Sequence, residues 1–193
     1  MAYGKQIKLW RTPNEDGSFD ELTEKQLERI RERALNYCMW SLGNTPKTRK
    51  QLSDKMKEKN CPEDIIEFTL DRLQELKLQD DQDFAESFVR SRQYARKGKR
   101  KIAQDLRMKG IDSDTIDAVL EDSDEEAEEE RARELIAKKL PGTRHLERHK
   151  RANRLVSNLV RNGYGMGTAF SVVNQALDAE AEQNAEDETD DEG

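Results

Sequence analysis

From Thr23 onward, apolar positions recur at three- and four-residue spacing, the period of helices with one buried face. Leu27, Ile30, Ala34, Leu35, Cys38, Met39 and Leu42 form the first such stripe. Thr23 stands at its head as an N-cap, with Gln26 at the capping-box position. Gly43-Asn44 closes it, and Thr45-Pro46 suits the start of a second helix through Leu52 and Met56 to about Asn60. Pro62 opens a third, carrying Ile65, Ile66, Phe68, Leu70, Leu73 and Leu76.

The pattern then repeats. Leu52, Met56, Asn60, Cys61, Ile66 and Leu70 match Ile102, Leu106, Gly110, Ile111, Ile116 and Leu120, and these match Leu155, Leu159, Gly163, Tyr164, Ala169 and Val173. In the preceding helix, Ala34, Leu35, Cys38 and Met39 match Phe84, Ala85, Phe88 and Val89, which puts Phe84 and Phe88 on the inward column. Repeats near 50 residues mean stacked units. Asn60, Gly110 and Gly163 share a helix-stop position, where Gly and Asn tolerate positive φ, and each is followed by an apolar residue that closes the cap. The expected fold is all-α, an elongated array of three tandem three-helix repeats with about nine helices. The expected boundaries are an irregular extension over 1–22, repeats over 23–78, 79–121 and 122–178, and a disordered acidic tail over 179–193.

Charge sharpens this reading. Only 34% of residues are hydrophobic and 39% are charged, a composition for thin helical units with much exposed surface. The net charge of −7 conceals two acidic segments. Residues 121–130 carry eight acids and residues 178–193 carry nine, with no base in either; the other 24 acids face all 34 bases. The body is therefore basic. Nine bases fall between Arg90 and Lys109 (Arg90, Arg92, Arg96, Lys97, Lys99, Arg100, Lys101, Arg107 and Lys109), opposed only by Asp105. A second group holds Arg144, Arg148, Lys150, Arg151, Arg154 and Arg161. Such densities attract phosphate backbones or an acidic protein groove, beyond what an ordinary charged helix surface carries. The acidic run 121–130 reads as the start of a long exposed helix, acids first and bases later, as the helix dipole favours.

Catalytic signatures are absent: no GxxxxGK[ST], GxGxxG, HExxH or GxSxG occurs. His145 and His149 are two ligands without a third, so neither a metal site nor a cofactor is expected. Cys38 and Cys61 fall on apolar repeat positions and read as buried thiols, not as a disulfide framework. No apolar run reaches membrane-span length and no leader is visible, so the expected place of action is the cytoplasm.

Two segments resemble a known family. Leu73-Gln74-Glu75-Leu76-Lys77-Leu78-Gln79-Asp80-Asp81-Gln82-Asp83-Phe84-Ala85-Glu86-Ser87-Phe88-Val89-Arg90-Ser91-Arg92 is similar to the hallmark of the RecX regulatory proteins, a Leu-rich helix end, an acidic turn, then F-A-x-x-F/Y-V-x-x-R. Lys99-Arg100-Lys101-Ile102-Ala103-Gln104-Asp105-Leu106-Arg107-Met108-Lys109-Gly110-Ile111 resembles its second signature, a basic helix ending in K-G-I/V. The resemblance spans residues 28–178, and the Asn60-Cys61-Pro62 stop is its main departure. It implies a monomeric, non-enzymatic protein that binds RecA and the RecA–single-stranded DNA filament. It implies inhibition of ATP hydrolysis, strand exchange and co-protease activity, and so a role in recombinational DNA repair and the SOS response. Under that reading the RecA- or DNA-binding residues are Arg90, Arg92, Arg96, Lys97, Lys99, Arg100, Lys101, Arg107, Lys109, Arg148, Lys150, Arg151 and Arg154. Weak nonspecific DNA binding fits the same charges. The competing reading is an architectural DNA-binding protein that acts without RecA.

Overall fold

The computed structural model describes residues 23–121 and 125–190. The irregular extension expected over 1–22 lies outside the described residues. Among those described, the fold is all-α, with nine α-helices in three successive triplets. The first triplet is α1 (Glu24–Asn44), α2 (Arg49–Lys57) and α3 (Glu63–Glu75). The second is α4 (Asp81–Tyr94), α5 (Lys99–Met108) and α6 (Ser113–Glu121). The third is α7 (Glu125–Ala137), α8 (Arg148–Arg161) and α9 (Met166–Asp190), with a 3-10 turn at Pro141–Thr143. The chain forms two compact units: the described residues up to Phe84 with Lys109–Ile111, and Ala85–Met108 with the described residues from Asp112 onward.

Local chemistry accounts for the helix ends. At α1, the Thr23 backbone N–H donates to Gln26 Oε1 at 2.9 Å, as expected of a capping box. At α2 the cap is Thr48 rather than Thr45. Gln51 N donates to Thr48 Oγ1 at 3.2 Å, and Thr48 N donates back to Gln51 Oε1 at 3.1 Å. Pro46 therefore lies in the loop, where Lys47 Nζ binds the Ser41 and Thr45 carbonyls at 2.5 and 2.9 Å. Asn60, Gly110 and Gly163 have φ of 58°, 85° and 95°, as the helix-stop column requires. Lys77 and Arg96 do the same at φ 53° and 55°. Each closes a paired cap: Leu78 N donates to Leu73 O and Lys77 N to Gln74 O, while Lys97 N donates to Arg92 O and Arg96 N to Gln93 O, all at 2.8–2.9 Å.

The first unit buries Ile30, Ala34 and Cys38 of α1 against Leu52 and Met56 of α2 and Ile65, Ile66, Leu70 and Leu73 of α3. The second buries Ala132 and Ile136 of α7, Leu155, Val156 and Leu159 of α8, and Ala169, Val172, Val173 and Leu177 of α9. Each fully buried Leu, Ile or Val contributes about 1.5–3 kcal/mol. The second-helix columns lie as expected, since Leu52/Met56, Ile102/Leu106 and Leu155/Leu159 are all buried. The first-helix column is shifted by one residue. The inward pair of α4 is Ala85/Val89, which corresponds to Ala34/Cys38 and Ala132/Ile136. Phe84 and Phe88 are half-buried at its flank, with Lys109 Nζ 5.7 Å from the Phe84 ring and the Arg92 guanidinium 4.7 Å from the Phe88 ring.

The C-terminal segment also departs from expectation. Instead of ending at Asp178, α9 continues through Asp190. Ala and Glu are strong helix formers, and Glu180 is buried and held by arginines. Both thiols are buried as expected: Cys38 Sγ lies 3.6 Å from Met56 Sδ, and desolvation pushes the pKa of Cys38 up to about 11 and that of Cys61 to about 12.

Candidate partner- and nucleic-acid-binding surface

The two basic stretches both contribute to the second unit, where the start of α5 meets the end of α8. Gly98 N donates to Asn162 O at 2.9 Å and Arg100 N to Gly163 O at 3.2 Å. The approach is backbone to backbone: a Cβ on Gly98 would lie 2.5 Å from the Gly163 carbonyl carbon. Tyr164, buried behind the stop, donates its hydroxyl to Arg96 O at 2.9 Å, and burial pushes its pKa up to about 12. Lys97 Nζ adds a 2.7 Å bond to Asn162 Oδ1. The first unit has a similar joint, where Thr48 Oγ1 donates to Lys109 O at 2.7 Å and Gly110 lies against the Lys50 side chain. A glycine is needed at those two stops for space as well as for φ. Asn60 is exposed, which leaves room for its side chain at the less typical stop.

Acidic side chains complete both joints. Asp81 Oδ1 accepts from Arg49 N at 2.8 Å, capping α2, and Glu128 Oε1 accepts from Lys99 N at 2.9 Å, capping α5. Each acid stands four residues before the inward alanine of its own helix, Ala85 or Ala132. The neighbouring Asp80 caps its own helix, accepting from Gln82 N at 2.7 Å. The acidic turn and part of the acidic run thus hold helix ends, where carboxylates complement the dipole. Sequence reasoning missed this role. Its signal was present in the shared spacing of acid to inward alanine.

Most of the nominated cations fall into three groups. Several serve local pairs: Arg90 with Glu86 at 3.7 Å, Lys101 with Asp105 at 2.8 Å, and Lys150 with Glu147 at 3.2 Å. Arg92 reaches Asp105 at 4.0 Å, and Arg96 Nε donates to Glu134 at 2.6 Å. Lys99 contributes through its backbone, and Lys109 belongs to the first unit. A second group fastens α9. Arg148 pairs with Asp178, and Arg151 pairs with Glu180, which Arg144 also reaches at 2.7 Å. Burial alone raises the Glu180 pKa, but the hydrogen bonds from Arg144 and Arg151 outweigh it and hold it below the usual carboxylate range. The third group is Arg100, Arg107 and Arg154, which are exposed and have no carboxylate among the described residues within ion-pair distance. His145 precedes α8 while His149 lies in it; both are exposed. The described residues contain no group of three or more His, Cys, Asp or Glu able to hold a metal, and no described helix is long and apolar enough to cross a membrane.

Fold and surface thus define a class: an all-α protein of tandem three-helix units whose distinguishing chemistry is cationic. Comparison with known proteins places it within that class. The profile of the first three-helix domain of RecX matches residues 34–73, and that of the second matches residues 80–120. A regulatory protein RecX from Streptomyces lividans is 43% identical over 152 residues, covering 78% of this chain and 81% of the relative. One from Thermobifida fusca is 38% identical over 149 residues, covering 77% of this chain and 80% of that one. A crystal structure of regulatory protein RecX superposes with a TM-score of 0.69 at 28% identity, covering 81% of this chain and 80% of that one. RecX from Lactobacillus salivarius gives 0.70 at 25%, covering 77% and 97%. The chain belongs to the RecX family of regulatory proteins.

Proposed function

We propose that this chain binds RecA and the RecA–single-stranded DNA filament as a cytoplasmic monomer and restrains the filament's activities. ATP hydrolysis, strand exchange and co-protease function are the activities it lowers, which makes it a modulator of recombinational repair and the SOS response. Family membership supports the regulatory role. The observation that carries the binding mode is the middle triplet: its second helix, α5, presents exposed arginines that no described carboxylate neutralises. Such a face attracts either acidic protein or phosphate. The protein performs no chemistry in this reading; it acts by occupying the filament.

The test is the ATPase rate of the cognate RecA on single-stranded DNA, titrated with this protein. Inhibition well below one molecule per RecA supports action on filament ends or over many subunits. Inhibition only near equal stoichiometry supports coating of the groove. An unchanged rate together with tight binding to bare DNA favours the architectural reading and ends this one.

A further inference from the structure

The repeat supplies an internal control for its own surface chemistry. The second helices of the first two triplets align at an offset of 50, with Leu52/Met56 and Ile102/Leu106 buried on matching faces. On the outer face of α2, Lys50 pairs with Asp54 and Lys57 pairs with Glu63, each at 2.9 Å. The equivalent positions of the middle triplet are Arg100, Gln104, Arg107 and Ser113. Both bases are kept, as arginine, and both acids are replaced by neutral polar residues. In the third triplet the positions matching Arg100, Gln104 and Arg107 are Asn153, Ser157 and Val160, without charge. One frame therefore carries a neutralised face, a cationic face and an uncharged face.

Arg100 and Arg107 are seven residues apart, two turns on one side of α5, with Gln104 between them; all three are exposed. Their Cα atoms are about 10.5 Å apart along the axis at the helical rise. Guanidinium groups suit phosphate because their fork donates two parallel hydrogen bonds. Arg100 and Arg107 share one face of α5, a single row that follows one strand, whereas bridging a duplex groove takes a row on each side.

We infer that the Arg100–Gln104–Arg107 ridge of α5 is a binding site for the sugar-phosphate backbone of a single nucleic-acid strand. This deepens the filament-binding reading, because it makes α5 the element that touches DNA and leaves RecA contacts to other surfaces. Arg100 and Arg107 each grip a phosphate of that strand, and Gln104 donates to the backbone between them.

The experiment is fluorescence anisotropy of a labelled oligo-dT, titrated with the full chain across a range of salt concentrations. Each phosphate contact contributes about 0.7 to the log–log salt slope on a single strand. R100Q/R107Q should lose about 1.4 of that slope, while R100K/R107K and the α2 control K50Q/K57Q retain it. Circular dichroism verifies that helicity is unchanged. An unaltered slope in R100Q/R107Q overturns the inference, as does an equal loss on duplex DNA. If that variant instead loses binding to DNA-free RecA with its slope intact, the ridge docks on protein: the inference fails and the RecA reading stands. If the slope falls as expected but the wild-type chain leaves RecA ATPase unchanged, the ridge stands and the RecA reading fails.

Discussion

Residues 90–109 and residues 144–161 look alike as text, each a dense run of bases, yet the fold sorts the cations within each stretch differently. In the second stretch Arg144, Arg148 and Arg151 turn onto α9 and are held by Asp178 and Glu180. In the first, Arg100 and Arg107 stand on an outer face with no described carboxylate in reach. The lesson is that base density measures potential only. Whether a cation is available depends on where the acids of the same unit fall, and those lie 29–36 residues away in sequence.

The largest effect should come from breaking the α9 clamp. Glu180→Gln leaves the Arg151 guanidinium, whose side chain is 15% exposed, without its charge partner. Breaking a buried pair from one side costs about 3 kcal/mol or more. Thermal unfolding should show that loss, while Arg100→Gln and Arg107→Gln stay within about 0.5 kcal/mol of the parent, as surface substitutions do. The pH dependence follows in sign. Glu180 has a folded pKa below its ordinary value, so its contribution is complete above the ordinary glutamate range and is lost as pH falls through the depressed value. The stability gap between wild type and Glu180→Gln should therefore close on acidification. A gap independent of pH down to the acid limb would mean that Glu180 acts by packing alone.

A smaller effect should come from the joint where the two stretches meet. Gly163 has φ of 95°, and a Cβ there would lie 2.4 Å from Lys101 N. Gly163→Ala should cost about 1–2 kcal/mol for the backbone alone, with the clash added, and should weaken the Arg100 N to Gly163 O bond. Asn60→Gly, at an exposed stop with φ of 58°, should be neutral or slightly stabilising. Urea unfolding of the two variants separates space from conformation as the reason for glycine.

The helical triplets were legible because their signals are local. Apolar spacing, the Thr23 cap and the Asn60/Gly110/Gly163 stops each need only a few neighbouring residues. The first-helix register slipped by one because Phe84 and Phe88 are the larger apolar residues, whereas the helix approach selects the small Ala85 for the inside. The end of α9 was missed because its composition is that of a solvated tail; what anchors it are arginines from an earlier helix. Among the nominated cations, sequence could not separate Arg151 from Arg107, since neither residue type nor spacing encodes which of them meets a carboxylate. Lys77 and Arg96 escaped notice as helix stops because nothing in a long cationic side chain marks it for positive φ.

Arg96 offers the finest test of the contrast. It is a nominated contact residue, and it also sits at φ 55°, where a residue with a Cβ is disfavoured by about 1 kcal/mol. What fixes its position is main-chain: its carbonyl accepts from Tyr164, and the 97 and 96 amides close the α4 cap. Its side chain adds one partly exposed pair with Glu134, worth about 0.5 kcal/mol. Arg96→Gly keeps every main-chain bond, relieves the conformational penalty and gives up that pair. The expected net is a stabilisation of about 0.5 kcal/mol in urea unfolding. A destabilisation would mean that the Glu134 pair fastens α4 to α7 and that Arg96 belongs with Arg148 and Arg151. A stabilised variant that also binds single-stranded DNA or RecA more weakly would show an arginine kept at that turn against the fold's preference, and would extend the cationic ridge of α5 back across the elbow.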